Sequence, residues 1–129
     1  MIVDASALVA ILHNEPDALR FATAIEEVDT KRLSAANYLE VAIVIDSKRD
    51  PVASARVDDL IRQAGIDIVP VTESQVRLAR EAYRAFGKGS GHPARLNFGD
   101  CFAYALAKET GQPLLFKGDD FTKAGVDAA

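Results

Sequence analysis

Short apolar runs alternate along this chain with longer stretches whose apolar positions recur at helical spacing. Met1–Val3, Arg32–Ala35, Ile66–Val71 and Leu114–Phe116 read as strands. Ala5–His13 is apolar nearly all round and predicts a buried helix with Asp4 as its N-cap. Pro16, at a first helical position, opens a second helix to about Val28; Phe21, Ile25 and Val28 face inward, Arg20, Glu26 and Glu27 outward. Asn37–Arg49 is a third helix, and its stretch YLEVAIVI is apolar except for Glu40. Asp50 and Pro51 restart a helix that runs to Ala64 and stops at Gly65. Thr72 with Gln75 forms a capping box for a helix to Phe86, and a last, strongly apolar helix begins near Asp100. Thr122–Ala129 reads as a ragged tail. Strands alternating with helices predict an α/β fold with a mainly parallel sheet, and 129 residues fit one domain spanning 1–129.

Composition adds mainly exclusions. With 49% hydrophobic and 26% charged residues the chain is globular rather than disordered. Its one cysteine rules out an intrachain disulfide and fits a reducing cytoplasm. The opening MIVDASALVAIL lacks the basic start of a signal peptide, and no apolar run reaches membrane-spanning length, so a cytoplasmic protein without a membrane partner is expected. A net charge of −4 does not announce a nucleic-acid binder. The positive charges are nevertheless grouped. Arg77, Arg80, Arg84 and Lys88 form one stripe of the helix ending at Phe86, and Arg95 follows across a flexible glycine-rich loop that also carries His92. That stripe is either a solvated face or a track for phosphates.

The acids carry the chemistry. Asp4, Glu40, Asp100 and the pair Asp119–Asp120 each have an ordinary reading as a helix cap or polar turn. Glu40 stands three residues after Asn37, and Asp100 three after Asn97, the spacing of a capping box. Position makes the set more than that. Asp4 and Asp120 fall just beyond strands, Glu40 lies in the first turn of the helix after one, and the strand ends of an open parallel sheet share one edge where ligands bind. Carboxylates gathered among apolar segments repel one another and take up protons unless a cation is present. Oxygen ligands without a histidine or cysteine grouping select Mg²⁺ or Mn²⁺, and such an ion suits hydrolysis of a phosphodiester. Ser6, two residues after Asp4, has no histidine base and reads as a hydrogen-bond partner for Asp4 or for water. Lys117 reads as a phosphate contact or a partner of Asp119. Cys101 reads as core, and His13 and His92 lack metal-ligand spacing.

These residues resemble those of PIN-domain ribonucleases, and in particular the VapC toxins of type II toxin–antitoxin pairs. The resemblance runs over essentially the whole chain and rests on MIVDASALVAIL, on the glutamate of SAANYLEVAIVI, and on LNFGDCFAYALAKETGQPLLFKGDDF. It implies a three-layer α/β/α domain and a Mg²⁺- or Mn²⁺-dependent endoribonuclease site. Asp4 and Asp100 are its expected metal ligands; Glu40 and Asp120 complete the pocket, with Asp119 the alternative fourth acid and Ser6 the family's small hydroxyl residue. It further implies an RNA substrate, a homodimer, and a cognate VapB-type antitoxin that builds a higher assembly and blocks the groove, for which the apolar first two helices offer a surface. Competing readings are a PIN-domain nuclease that processes RNA without being a toxin, a receiver- or phosphatase-type phosphotransfer domain, and a non-catalytic binding module. The phosphotransfer reading lacks its acids: there is no N-terminal acid pair, and Ser6 stands where a phosphatase has a second aspartate.

Overall fold

The computed structural model describes all 129 residues. Four short strands, β1 (Ile2–Val3), β2 (Lys31–Ser34), β3 (Ile66–Val69) and β4 (Leu114–Leu115), pair in parallel in the order β3-β2-β1-β4. The connections hold α1 (Ala5–Leu12), α2 (Ala18–Glu26), α3 (Ala35–Asp46), α4 (Pro51–Ala64), α5 (Glu73–Phe86) and α6 (Phe98–Thr110), and α7 (Asp120–Lys123) follows the last strand. Side chains alternate across the pleat and divide the core in two. Val3, Leu33 and Leu115 join Leu8, Phe21, Val41 and Val57 on one side of the sheet. Ile2, Leu114 and Phe116 join Ala79, Ala103, Leu106 and Phe121 on the other. The result is a three-layer α/β/α fold with α1–α4 on one face and α5–α7 on the other.

Strand order explains that division. From β1 through β2 to β3 the chain steps outward in one direction, then returns past β1 to lay down β4. Right-handed crossovers place their helices on one face for the outward march and on the opposite face after the reversal. The reversal puts a topological switch point at the C-terminal ends of β1 and β4, the place where open α/β sheets bind ligands. Asp4 stands at the end of β1 and Lys117–Asp120 just past β4.

Several element ends differ from the sequence expectation, each for a local reason. The second helix starts at Ala18 rather than Pro16, because Ala18 N–H donates to Glu15 O and Pro16 is taken up in that turn. The third starts at Ala35 with Ser34 as its cap, Ser34 Oγ accepting from Ala36 N–H. Asn37 is therefore inside the helix. β3 ends at Val69 because Pro70 has no N–H to continue a ladder, and as an edge strand it leaves Ile68 exposed. Thr72 caps α5 by accepting from Gln75 N–H, but the buried Gln75 side chain donates to Glu109 of α6 instead of closing a box. The last residues are no ragged tail. Leu114 N–H donates to Asp127 O, Ala129 N–H donates to Leu114 O, and Val126 is buried.

Candidate active site at the strand ends

Asp4 is the buried centre of the site, 3% exposed. Its backbone N–H donates to Leu115 O, which ties the end of β1 to β4. Its Oδ2 caps α1, accepting from Ser6 N–H at 3.0 Å and from Ser6 Oγ at 2.5 Å. Ser6 Oγ in turn accepts from Lys117 N–H at 3.0 Å. One hydroxyl thus joins the segment after β1 to the segment after β4. Asp4 Oδ1 is buried and has no partner in the protein. Burial is the main cause that raises the Asp4 pKa to about 6, against the opposing Ser6 hydrogen bonds and with the Glu40 charge adding to it. Keeping that carboxylate ionised at neutral pH costs ~3 kcal/mol on the linkage relation.

Asp100 does two things at once. With Asn97 it closes the capping box of α6: Asn97 Oδ1 accepts from Asp100 N–H, and Asp100 Oδ2 accepts from Asn97 N–H, both at 2.9 Å. Its pKa is also raised to about 6, by burial first, opposed by the Asn97 bond and reinforced by the charges of Asp4 and Asp120. A plain surface cap would show no such rise. Capping and clustering are both true of this residue.

Glu40 reaches the same edge from α3. Its Oε1 accepts from Asn37 Nδ2 at 3.1 Å, and that amide also donates to Gly99 O at 2.9 Å. Burial raises the Glu40 pKa, opposed by Asn37 and reinforced by Asp100. The capping role considered for Glu40 is excluded, since Ser34 caps this helix. Of the two later acids, Asp120 acts electrostatically on Asp100. Asp119 is exposed and pairs with Lys123 at 3.1 Å. The four acids stand within electrostatic reach rather than in a closed shell: no three of them are near enough to hold one ion together.

Lys117 does not pair with Asp119, which is held by Lys123. Lys117 Nζ lies 3.1 Å from Glu15 and 3.3 Å from Asp17, which clamps the α1–α2 turn to the end of β4. Its contribution to the site is the backbone N–H held by Ser6. Cys101 is core; its Sγ donates to Asn97 O, and burial with the neighbouring Asp100 pushes the thiol up to about 11.

A family model described as PIN domain matches residues 1–127. The chain belongs to the PIN-domain family. Ribonuclease VapC28 of Mycobacterium tuberculosis is 58% identical over 129 residues, covering 100% of this chain and 97% of the relative. Ribonuclease VapC30 of the same species is 50% identical over 126 residues, 98% of this chain and 95% of the relative. These place the PIN domain among the VapC-type members. Among solved structures, VapC20 of M. tuberculosis, a sarcin–ricin loop cleaving toxin, superposes with a TM-score of 0.77 at 15% identity, covering 99% of this chain and 97% of that one. FitAcB from Neisseria gonorrhoeae gives 0.72 at 18% identity, covering 98% and 94%. At such identities the likeness is one of fold.

Two residues of this PIN domain are not evident from the sequence. Asn37 has the spacing of a cap, and Gly99 carries no signal of its own; both touch Glu40. A polar amide inside the apolar run of α3 is the available clue. The basic residues Arg77, Arg80, Arg84, Lys88 and Arg95 are all exposed. Arg77 is engaged by Glu73 at 3.5 Å, and Arg80 lines a shallow apolar hollow with Val76, Tyr83, Phe98 and Phe102. The loop after α5 is less free than its glycines suggest. Lys88 N–H and Leu96 O close its ends, while His92 accepts from Ala94 N–H and packs edge-on against Phe86 at 4.9 Å.

Proposed function

We propose that this PIN domain is a metal-dependent endoribonuclease and the toxin of a type II toxin–antitoxin pair, acting in the cytoplasm. One observation carries the nuclease reading: Asp4, Glu40, Asp100 and Asp120, from four separate segments, gather at one sheet edge with the charged forms of the first three disfavoured. Full-length relatives named as VapC ribonucleases support it.

The residues fit a divalent cation of the Mg²⁺ or Mn²⁺ kind. The donors are all carboxylate oxygens, Asp4 Oδ1 is buried without a partner, and burial has raised the pKa of both Asp4 and Asp100 to about 6. Mg²⁺ is bound through few carboxylates and keeps several waters, so it needs no closed cage of protein ligands. Asp4 and Asp100 would hold the ion, and a bound ion would supply an activated water and offset the charge that grows on the phosphodiester. Ser6 and Asn97 fix these two acids by hydrogen bonds to Oδ2 of each. Glu40 keeps Oε2 free while Asn37 holds Oε1, which leaves it able to accept a proton from the attacking water. Asp120 adds negative charge opposite Asp100.

Purified protein incubated with total cellular RNA tests the reading. Discrete fragments with Mg²⁺ or Mn²⁺, abolished by EDTA, are expected; intact RNA from folded, antitoxin-free protein would overturn it. Asp120→Asn is expected to lose more activity than Asp119→Asn, because only Asp120 bears on Asp100; the reverse order, in initial cleavage rates, moves the fourth acid by one. Reversing Arg80 and Arg84 to glutamate should weaken binding of uncleaved RNA and flatten the slope of log affinity against log salt by about 0.7 for each phosphate no longer neutralised. An unchanged slope returns that stripe to plain solvation.

A cognate VapB-type antitoxin and a homodimer belong to this reading. Leu19 of α2 is exposed near the expected antitoxin surface, and Leu39, Ile43, Val76, Tyr83 and Phe98 form a broader exposed apolar area across α3, α5 and α6.

A further inference from the structure

We propose that Asn37 and Gly99 are positioning residues that seat the Glu40 carboxylate against the first turn of α6. The proposal rests on the nuclease reading and adds two residues to it. Asn37 is fully buried within α3, where it caps no helix end and its Oδ1 has no partner in the protein. Its amide nitrogen instead spans two acceptors, Glu40 Oε1 and Gly99 O, one on its own helix and one on α6. With acceptors on both sides, the nitrogen is the end that must face them.

Gly99 is the other half of the seat. A Cβ at residue 99 would lie 2.6 Å from Glu40 Cδ and 2.7 Å from Oε1, and nearer still to Oε2. No side chain fits beside Glu40 in its present place. The backbone at residue 99 asks for no glycine: it is the second residue of a regular helix and its φ is not positive. On helix propensity alone alanine is the better residue there. Glycine stands against propensity, and the space it leaves is filled by the one carboxylate that α3 sends to the site. Because residue 99 directly precedes Asp100, contact with it fixes Glu40 relative to Asp100 as well.

The seat predicts opposite effects on stability and turnover. Gly99→Ala should lower kcat for RNA about ten- to hundredfold, the usual scale for groups that orient others in a site, with KM little changed. The Tm of the metal-free protein should not fall, because the atoms struck belong to the mobile end of Glu40. Asn37→Ala should lower kcat in the same range. The decisive comparison is with Glu40→Ala, where a methyl at residue 99 meets open space. In that background Gly99→Ala should cause no further loss of residual turnover. It should also raise the metal-free Tm by roughly 2–5 °C, more than in the parent protein. The Tm comparison is readable even where turnover is not.

Equal effects of Gly99→Ala in both backgrounds, or unchanged kcat in the parent protein, overturn the seat while leaving the nuclease reading intact. Full activity of Glu40→Ala itself overturns the role of Glu40, and the seat with it.

Discussion

Replacing Asp4 or Asp100 by asparagine is expected to remove RNA cleavage, by about three orders of magnitude or more, while leaving the metal-free protein at least as stable as the parent. The two effects have one cause. Each carboxylate is held at an energetic cost that a cation or a proton would relieve, so its removal should relieve the fold and take away a ligand of the proposed ion. Asparagine keeps the acceptor that caps α1 at residue 4, where Ser6 donates twice, and the acceptor that returns to Asn97 at residue 100. The variants should therefore fold, and thermal unfolding in EDTA beside initial cleavage rates in Mn²⁺ reads both effects. Loss of activity together with a large loss of stability would make these acids structural. Retained cleavage would remove them from the site.

The second large effect is on pH. A carboxylate whose folded pKa is about 6, against an ordinary value of 3.8, binds its proton more tightly in the native state than in the unfolded chain. Above pH 6 both states hold the charge, and the native state bears it in a buried place. As pH falls through 6 the native state takes up the proton first, so stability rises until the unfolded chain also protonates near 3.8. These acids accordingly favour the metal-free fold on the acid side, with a gain of about 2 kcal/mol from Asp4 between about pH 7.5 and 4.5. Asp100 contributes in the same direction, though the two acids interact and titrate as a group. Saturating Mn²⁺ should reverse the slope, because a cation favours the ionised forms. Differential scanning calorimetry across this range, with EDTA and then Mn²⁺, checks it. Stability of the metal-free protein that falls steadily from about pH 7.5 to 5 contradicts the assignment.

Much of this is legible in the chain because the signals are local. Asp4 ends a strand and starts a helix, and Asn97–Asp100 announces a helix start, so both can be placed before any contact is known. The parallel sheet follows from strands and helices in alternation. Strand order does not, because the return of β4 past β1 depends on packing between segments far apart in the chain. The same limit hides the partners of Lys117, whose ion pairs with Glu15 and Asp17 cross that distance. Asn37 misleads for a related reason. Three residues before a glutamate, it looks like a cap, and only Ser34 one turn earlier takes that role away. Choosing between Asp119 and Asp120 needs the short helix α7, which turns one toward Lys123 and brings the charge of the other to bear on Asp100.

Whether the strand-end carboxylates form a site for a divalent cation is tested most directly by calorimetry. Metal-free protein is titrated with Mn²⁺ near neutral pH, beside Asp4→Asn and Asp100→Asn. Saturable binding by the parent protein, lost in both variants and accompanied by proton release when the titration is repeated near the pKa of about 6, is the predicted result. Absence of binding in the parent, or equal binding in all three proteins, would contradict it.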